Sequence, residues 1–318
     1  MWISPYKYVL SLGHLCSDIN QSILSAVLPF LIATYHYDYT TAAMLVTVSN
    51  VFGAFVQPFI GMLSDKKNKL LYMTLGVLLA SGGMAVTGFI SNFFGLCIAV
   101  IMSGIGVAMF HPQAAKLVNS VSSKNAKGKG MSIFSFGGKV GFTLGQVYTA
   151  FLMNLFGMKG TILFLIPGIV FGIVCSFFNK DFENLDVLEV EKKEEVKSEQ
   201  KDDWSGFIKL CGVVFSRSIL SNGISTFLAF YFIQQFSKPN SFASMLLSVF
   251  YGIGSITLLG GGIADCFGHR KMVRLSFCIF LPAIFIFTNT SHFVIALIML
   301  IFMTCGESLS YSPMVVLG

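Results

Sequence analysis

Two stretches about two hundred positions apart, GMLSDKKNK (61–69) and GGIADCFGHRK (261–271), decide how this chain is read. Each follows an apolar run of about twenty residues. Each sets a glycine four residues before an aspartate, Gly61 before Asp65 and Gly261 before Asp265, and ends in basic residues. A signal repeated at corresponding places in two halves marks an internal repeat of a membrane-helix unit. The pieces have physical jobs. Glycine lets two helix ends approach, Gly268 supplies a turn conformation that Asn68 can also reach, and Lys66, Lys67, Lys69, Arg270 and Lys271 hold the loops on the cytoplasmic side. The aspartates are the odd groups, because a carboxylate at a helix carboxyl end is unfavourable unless a basic neighbour or another helix's amino end offsets it.

The whole chain agrees with a membrane reading. Of its 318 residues 54% are hydrophobic and 11% charged, outside the range of ordinary soluble domains. Apolar runs long enough to cross a hydrocarbon core of roughly 30 Å recur throughout. They predict ten spans, at about 8–34, 43–63, 70–90, 93–117, 130–156, 160–179, 207–235, 241–264, 272–290 and 293–316. The short, strictly alternating segments of a β-barrel are not seen. The first run is too long for a signal peptide, is interrupted by Asp18 and lacks a small-residue cleavage site, so it is expected to stay in the membrane. Seven scattered cysteines without a CxxC pair read as small hydrophobes.

The net charge of +6 would suggest a nucleic-acid partner in a soluble protein, but its distribution suggests lipid instead. Lys7, Lys66, Lys67, Lys69, Lys116, Lys124, Lys127, Lys129, the linker lysines, Arg270, Lys271 and Arg274 fall in one set of connections; the alternate set holds only Lys159 and Lys238. This alternation predicts a multi-pass protein of the cell membrane with its amino terminus in the cytoplasm and no nucleic-acid partner. Between 180 and 206 the composition turns to mixed charge, with Glu-to-Lys pairs four apart such as Glu189 and Lys193. The expected organisation is a six-span bundle over 1–179, a charged cytoplasmic linker over 180–206, and a four-span bundle over 207–318.

At this point the chain resembles the major facilitator superfamily, whose halves carry G-x-L-A-D-R-x-G-R-K between helices 2 and 3 and again between 8 and 9. The first copy matches at Gly61, Leu63, Asp65, Lys66 and Lys69, the second at Gly261, Ala264, Asp265, Gly268 and Arg270. GHLCSDINQSILSAVLPFL (13–31), GIGVAMFHPQAA (104–115) and SIFSFGGKVGFTLGQ (132–146) are similar, more narrowly, to the fosmidomycin-resistance group of drug exporters, with Gln146 in place of a proline and Lys139 in place of a neutral polar residue. The resemblance implies an all-α membrane protein of the major facilitator fold, here expected as a six-helix N-terminal bundle plus an incomplete, four-helix C-terminal bundle lacking the family's last two helices. It also implies a central cavity lined by helices 1, 2, 4, 5, 7, 8, 10 and 11.

Ionisable groups inside a bilayer are costly and normally face such a cavity or one another. Asp18, Lys139, Arg217 and Glu307 all fall near the middle of their spans, two acids and two bases on helices assigned to the cavity. His14 and Asp18, four apart, share a helix face, and a carboxylate beside an imidazole suits proton exchange near neutral pH. His14, Asp18 and Glu307 are therefore candidates for proton coupling, and Lys139, Arg217, Gln21 and Gln146 for substrate binding. Equally, Asp18 can pair with Lys139 or Arg217 simply to hold helices together, and helix-to-helix bonds explain Gln21, Gln146, Asn50 and Gln57. His111 precedes Pro112 near the end of helix 4, a place for a gate or for a packing histidine. Gly137, Gly141 and Gly145 lie in GxxxG register for close helix contact.

Three functions of different class follow. The residues present suit a monomeric secondary transporter exporting a small polar or anionic compound against protons. The alternative is a transport-incompetent product of an interrupted gene. A membrane hydrolase using His14, Asp18 and His111 lacks HExxH, GxSxG and any His/Cys/carboxylate set at metal-ligand spacing. No cofactor or metal is expected, and no phosphate loop for ATP-driven pumping is present.

Overall fold

The computed structural model describes residues 6–63, 69–121, 127–178, 204–257 and 267–317. The described residues form ten α-helices and no strand. In chain order they are α1 (Tyr6–Tyr35), α2 (Tyr39–Leu63), α3 (Lys69–Val86), α4 (Phe93–Ser120), α5 (Lys127–Phe156), α6 (165–178), α7 (Trp204–Phe236), α8 (Asn240–Thr257), α9 (His269–Asn289) and α10 (Phe293–Leu317). Eight stretches among the described residues are long and apolar enough to cross a membrane. One of these, Ile133–Phe178, has 46 residues and as a single helix would measure roughly 70 Å, more than twice a hydrocarbon core. It breaks at a 3₁₀ segment, Gly157–Phe164, that opens with Gly157 at φ 57° and separates α5 from α6.

The turns that follow α1 and α7 are alike. Among the described residues two non-glycine positions have positive φ, His36 (58°) and Ser237 (51°). They occupy equivalent places, one residue past α1 and one past α7, and in each case the next helix begins three residues later. A left-handed residue at this position ends a helix and turns the chain back. At the first of these turns Asp38 caps α2 by accepting from the Thr41 amide at 2.6 Å, and that amide holds the Asp38 carboxyl below the usual carboxylate range. At the second, Lys238 lies over the Phe293 ring, 4.3 Å from its centroid.

The chain divides into two compact units, Met1–Ser198 and Glu199–Gly318. In the first, α1 packs along α5, and α4 packs along α3 and α2. These contacts are close because they run over glycine. A Cβ at Gly137, Gly141 or Gly145 would collide with Ser11, Leu15 or Ser22 of α1, and one at Gly76 with the Gly106 carbonyl of α4. With little hydrophobic drive between helices in lipid, such small-residue seams bring backbones within van der Waals reach. Leu10, Met73, Phe110, Leu117, Phe134 and Phe171 fill the space between α1, α3, α4, α5 and α6. In the second unit α9 and α10 form the main pair, with α7 and α8 against α10, around Phe232, Phe250, Phe280, Phe287 and Leu300. Many large apolar side chains stay exposed, among them Phe52, Phe55 and Phe59 on α2 and Phe177 on α6, as lipid-facing surfaces require.

Candidate functional site

The first unit buries a cluster of His14, Asp18 and His111. A turn of α1 brings His14 Nε2 to 3.3 Å from Asp18 Oδ2, and α4 brings His111 Nε2 to 3.3 Å from Asp18 Oδ1. Asp18 is 5% exposed, while the His111 side chain, at 27%, is the open side of the group. His14 is fixed on its other face. Its ring stacks on Phe134, with centroids 4.0 Å apart, and its Nδ1 lies 2.8 Å from the Phe134 carbonyl oxygen. A carbonyl oxygen only accepts, so Nδ1 carries the hydrogen and Nε2 is the atom turned to the carboxylate. On α5, Gly138 covers this pair; a Cβ there would stand 2.6 Å from both Asp18 Oδ2 and His14 Nε2.

Lys139, the next residue, is half-buried and close enough for its charge to act on His14. Gln146 is fully buried and donates from Nε2 to the Ser22 carbonyl at 2.8 Å, a tie between α5 and α1; its Oε1 has no hydrogen-bond partner. Gln21 is exposed, whereas the neighbouring Asn20 is buried and donates to Cys16 O and to Ser81 Oγ on α3.

The second unit holds a different cluster. Arg217 on α7 pairs directly with Glu307 Oε1 on α10, and its Nε donates to Ser310 Oγ at 3.0 Å. Ser310 in turn donates to the Glu307 carbonyl at 2.7 Å, and Ser221 to Glu307 Oε1 at 3.3 Å. A small cavity of about 10 Å³ beside the pair is lined by Arg217, Ser276, Phe277, Phe280, Gly306, Glu307 and Ser310, the space of about one water.

Sequence reasoning placed His14 and Asp18 on one face, and the structure puts them there. It set His111 at a helix end, whereas α4 runs on past Pro112 to Ser120 and His111 joins Asp18. The pairing of Asp18 with His111 as well as His14, and that of Arg217 with Glu307, were not foreseen. Nor was Gln113, fully buried with neither amide atom hydrogen-bonded; its place two residues after His111 was the available signal. The sequence shows no His/Cys/carboxylate set at metal-ligand spacing, yet folding brings one atom each from His14, Asp18 and His111 within 4.8 Å of one another. Of the loop motif, Gly61 lies in the last turn of α2, Gly268 adopts φ 90° just before α9, and Arg270 is exposed in its first turn. Asp65, Lys66, Gly261, Asp265 and the linker as far as 203 lie outside the described residues.

Helices long and apolar enough to cross a membrane, with ionisable groups buried among them, define a membrane protein of the helical-bundle class. The Major Facilitator Superfamily model matches residues 10–318, and the chain belongs to that family of transporters. It is 22% identical over 269 residues to the fosmidomycin resistance protein of Escherichia coli, covering 83% of this chain and 66% of that one. It is 23% identical to an MFS-type transporter of Bacillus subtilis, covering 85% and 68%. It thus spans about two thirds of the length of these relatives. Among solved structures, a bacterial homologue of the human lysosomal transporter Spinster superposes with a TM-score of 0.78 at 16% identity, covering 98% of this chain and 73% of that one. The xylose transporter XylE of E. coli does so with a TM-score of 0.71 at 15% identity, covering 98% and 81%. These two likenesses are of fold.

Proposed function

We propose that the chain is a secondary active transporter of the cell membrane, with its amino terminus and linker in the cytoplasm, that exports a small polar or anionic compound in exchange for protons. One observation carries the proton assignment. With the His14 hydrogen committed to the Phe134 carbonyl, Nε2 of a neutral ring and the Asp18 carboxylate would turn lone pairs toward each other across 3.3 Å. The contact is favourable only when a cation, most simply a proton, lies between them. His14 and Asp18 then carry the coupling proton, with His111 as the second imidazole of the same carboxylate. Glu307 serves as a further proton acceptor where its pairing with Arg217 opens.

In the first unit Lys139 supplies positive charge for an anionic cargo, Gln146 offers its unbonded Oε1 and Gln21 is an exposed polar contact; in the second, Arg217 supplies positive charge where its pairing with Glu307 opens. The fosmidomycin resistance protein among the relatives supports drug export and makes fosmidomycin the first compound to test. Asp65, Lys66 and their counterparts in the second loop motif act as gating residues in this reading. Membership in a transporter family over nearly the whole chain favours transport over both the transport-incompetent alternative and a hydrolase. A hydrolase on the same three residues would turn over substrate in detergent without any gradient.

The test is fosmidomycin movement in proteoliposomes under an imposed pH gradient, with a pH-sensitive dye inside. Gradient-driven movement is expected in the unaltered protein and none above background in Asp18→Asn. Coupling that survives this change removes the proton role of the cluster. Lys139→Gln is expected to weaken anionic compounds more than neutral ones, and an equal effect on both removes its role in anion binding.

A further inference from the structure

The cluster that accounts for a proton also has the makings of a metal site, and we infer that His14, Asp18 and His111 bind a divalent transition-metal ion of the zinc class. The inference goes beyond the transport reading and does not depend on it, since it rests on ligand chemistry and geometry alone.

Two imidazoles and one carboxylate are a borderline-soft ligand set, suited to zinc, cobalt or iron and poorly suited to calcium or magnesium, which take oxygen. Zinc-to-nitrogen and zinc-to-oxygen bonds of about 2.0–2.2 Å place adjacent ligand atoms of a tetrahedron roughly 3.4 Å apart. His14 Nε2 stands 3.3 Å from Asp18 Oδ2 and His111 Nε2 3.3 Å from Asp18 Oδ1, so each imidazole is one such edge from its own carboxylate oxygen, and one atom from each of the three residues lies within 4.8 Å of the others. The third edge joins the two histidines, whose rings lie 5.1 Å apart at their centroids. His111, the more exposed of the pair, has room to close it.

The orientation of the ligands points the same way. A metal-bound histidine nearly always donates its other ring hydrogen to a carbonyl or carboxylate, which fixes the tautomer and turns the remaining lone pair to the ion. The Phe134 carbonyl does this for His14. Asp18 Oδ1 is buried and, although within ion-pair distance of His111, makes no hydrogen bond; an acceptor left in that state is suited to a cation. Gly138 lets α5 close one side of the pair, which leaves His111 as the side of entry. Three protein ligands leave a fourth position for water or cargo.

One group opposes the ion. The positive charge of Lys139 acts on His14, so it weakens cation binding, and its removal has a definite sign. The experiment uses the full chain, purified without a polyhistidine tag, with Zn²⁺ titrated by equilibrium dialysis and Co²⁺ as an optical probe. One ion per chain and the visible ligand-field bands of near-tetrahedral Co²⁺ are expected. His111→Gln should lower the affinity at least tenfold and Lys139→Gln should raise it several-fold. Absence of a stoichiometric ion, or a stoichiometric ion indifferent to His111→Gln, overturns the inference. Should His111→Gln fail to fold, X-ray absorption of the Zn²⁺-loaded unaltered protein decides. Two imidazoles with one carboxylate uphold the site; a sulfur-containing shell or a single imidazole overturns it. Transport assayed with EDTA present keeps the two readings apart, since proton-driven movement in chelator stands or falls independently of metal binding.

Discussion

In the first unit a buried carboxylate faces two imidazoles; in the second it faces a guanidinium. Asp18 is met by His14 and His111 at 3.3 Å each, while Glu307 is held by Arg217 directly and by hydroxyls from Ser221 and Ser308. A guanidinium stays charged at any pH a cell reaches. An imidazole gains or loses its charge near neutrality. On the transport reading proposed above, the charge of the first unit's cluster changes with its cation, whereas the second unit pairs its carboxylate with a guanidinium that keeps its charge.

The largest expected effect breaks the second of these. Glu307→Ala strands the Arg217 guanidinium in its buried place and should cost about 3–5 kcal/mol, read as a lowered midpoint of thermal unfolding in detergent. A loss under about 1 kcal/mol would mean that water already screens the pair. Helix seams make the next contrast. Gly141→Ala drives a methyl group into the Leu15 backbone of α1 and should cost about 1–3 kcal/mol. Gly223→Ala on α7, where no atom lies within 4 Å of the added carbon, should be neutral or stabilising by up to about 1 kcal/mol. Equal outcomes at the two positions would show that the α1–α5 seam is looser than its glycines indicate. The smallest effect belongs to Asp18→Asn. The new amide can donate to the His14 Nε2 lone pair, so stability should change by no more than about 1 kcal/mol, even as coupled transport is lost. A large loss of stability there would return Asp18 to a purely structural role.

Much of this was legible in the sequence because it depends on local chemistry. Helix number and order follow from the length of apolar runs, since lipid leaves every backbone group to be satisfied within its own segment. The His14–Asp18 face shows in a spacing of four. The GxxxG register of Gly137, Gly141 and Gly145 announced a close contact without naming its partner, which is α1. The break between α5 and α6 was expected too, as separate spans at about 130–156 and 160–179.

What the sequence by itself determined was therefore the membrane class, the helices and the face shared by His14 and Asp18, for each is set by transfer from water to lipid and by helix period. Tertiary structure alone decided the pairings: His111 against Asp18 rather than at a helix end, Arg217 with Glu307, Gln146 to Ser22, and Gln113 with its amide unbonded. The physical reason is that a helix in lipid is apolar nearly all round, so its rotation and depth against its neighbours leave no hydrophobic stripe to read. Those two variables are fixed by the fit of small residues between backbones, and they determine which buried charge meets which.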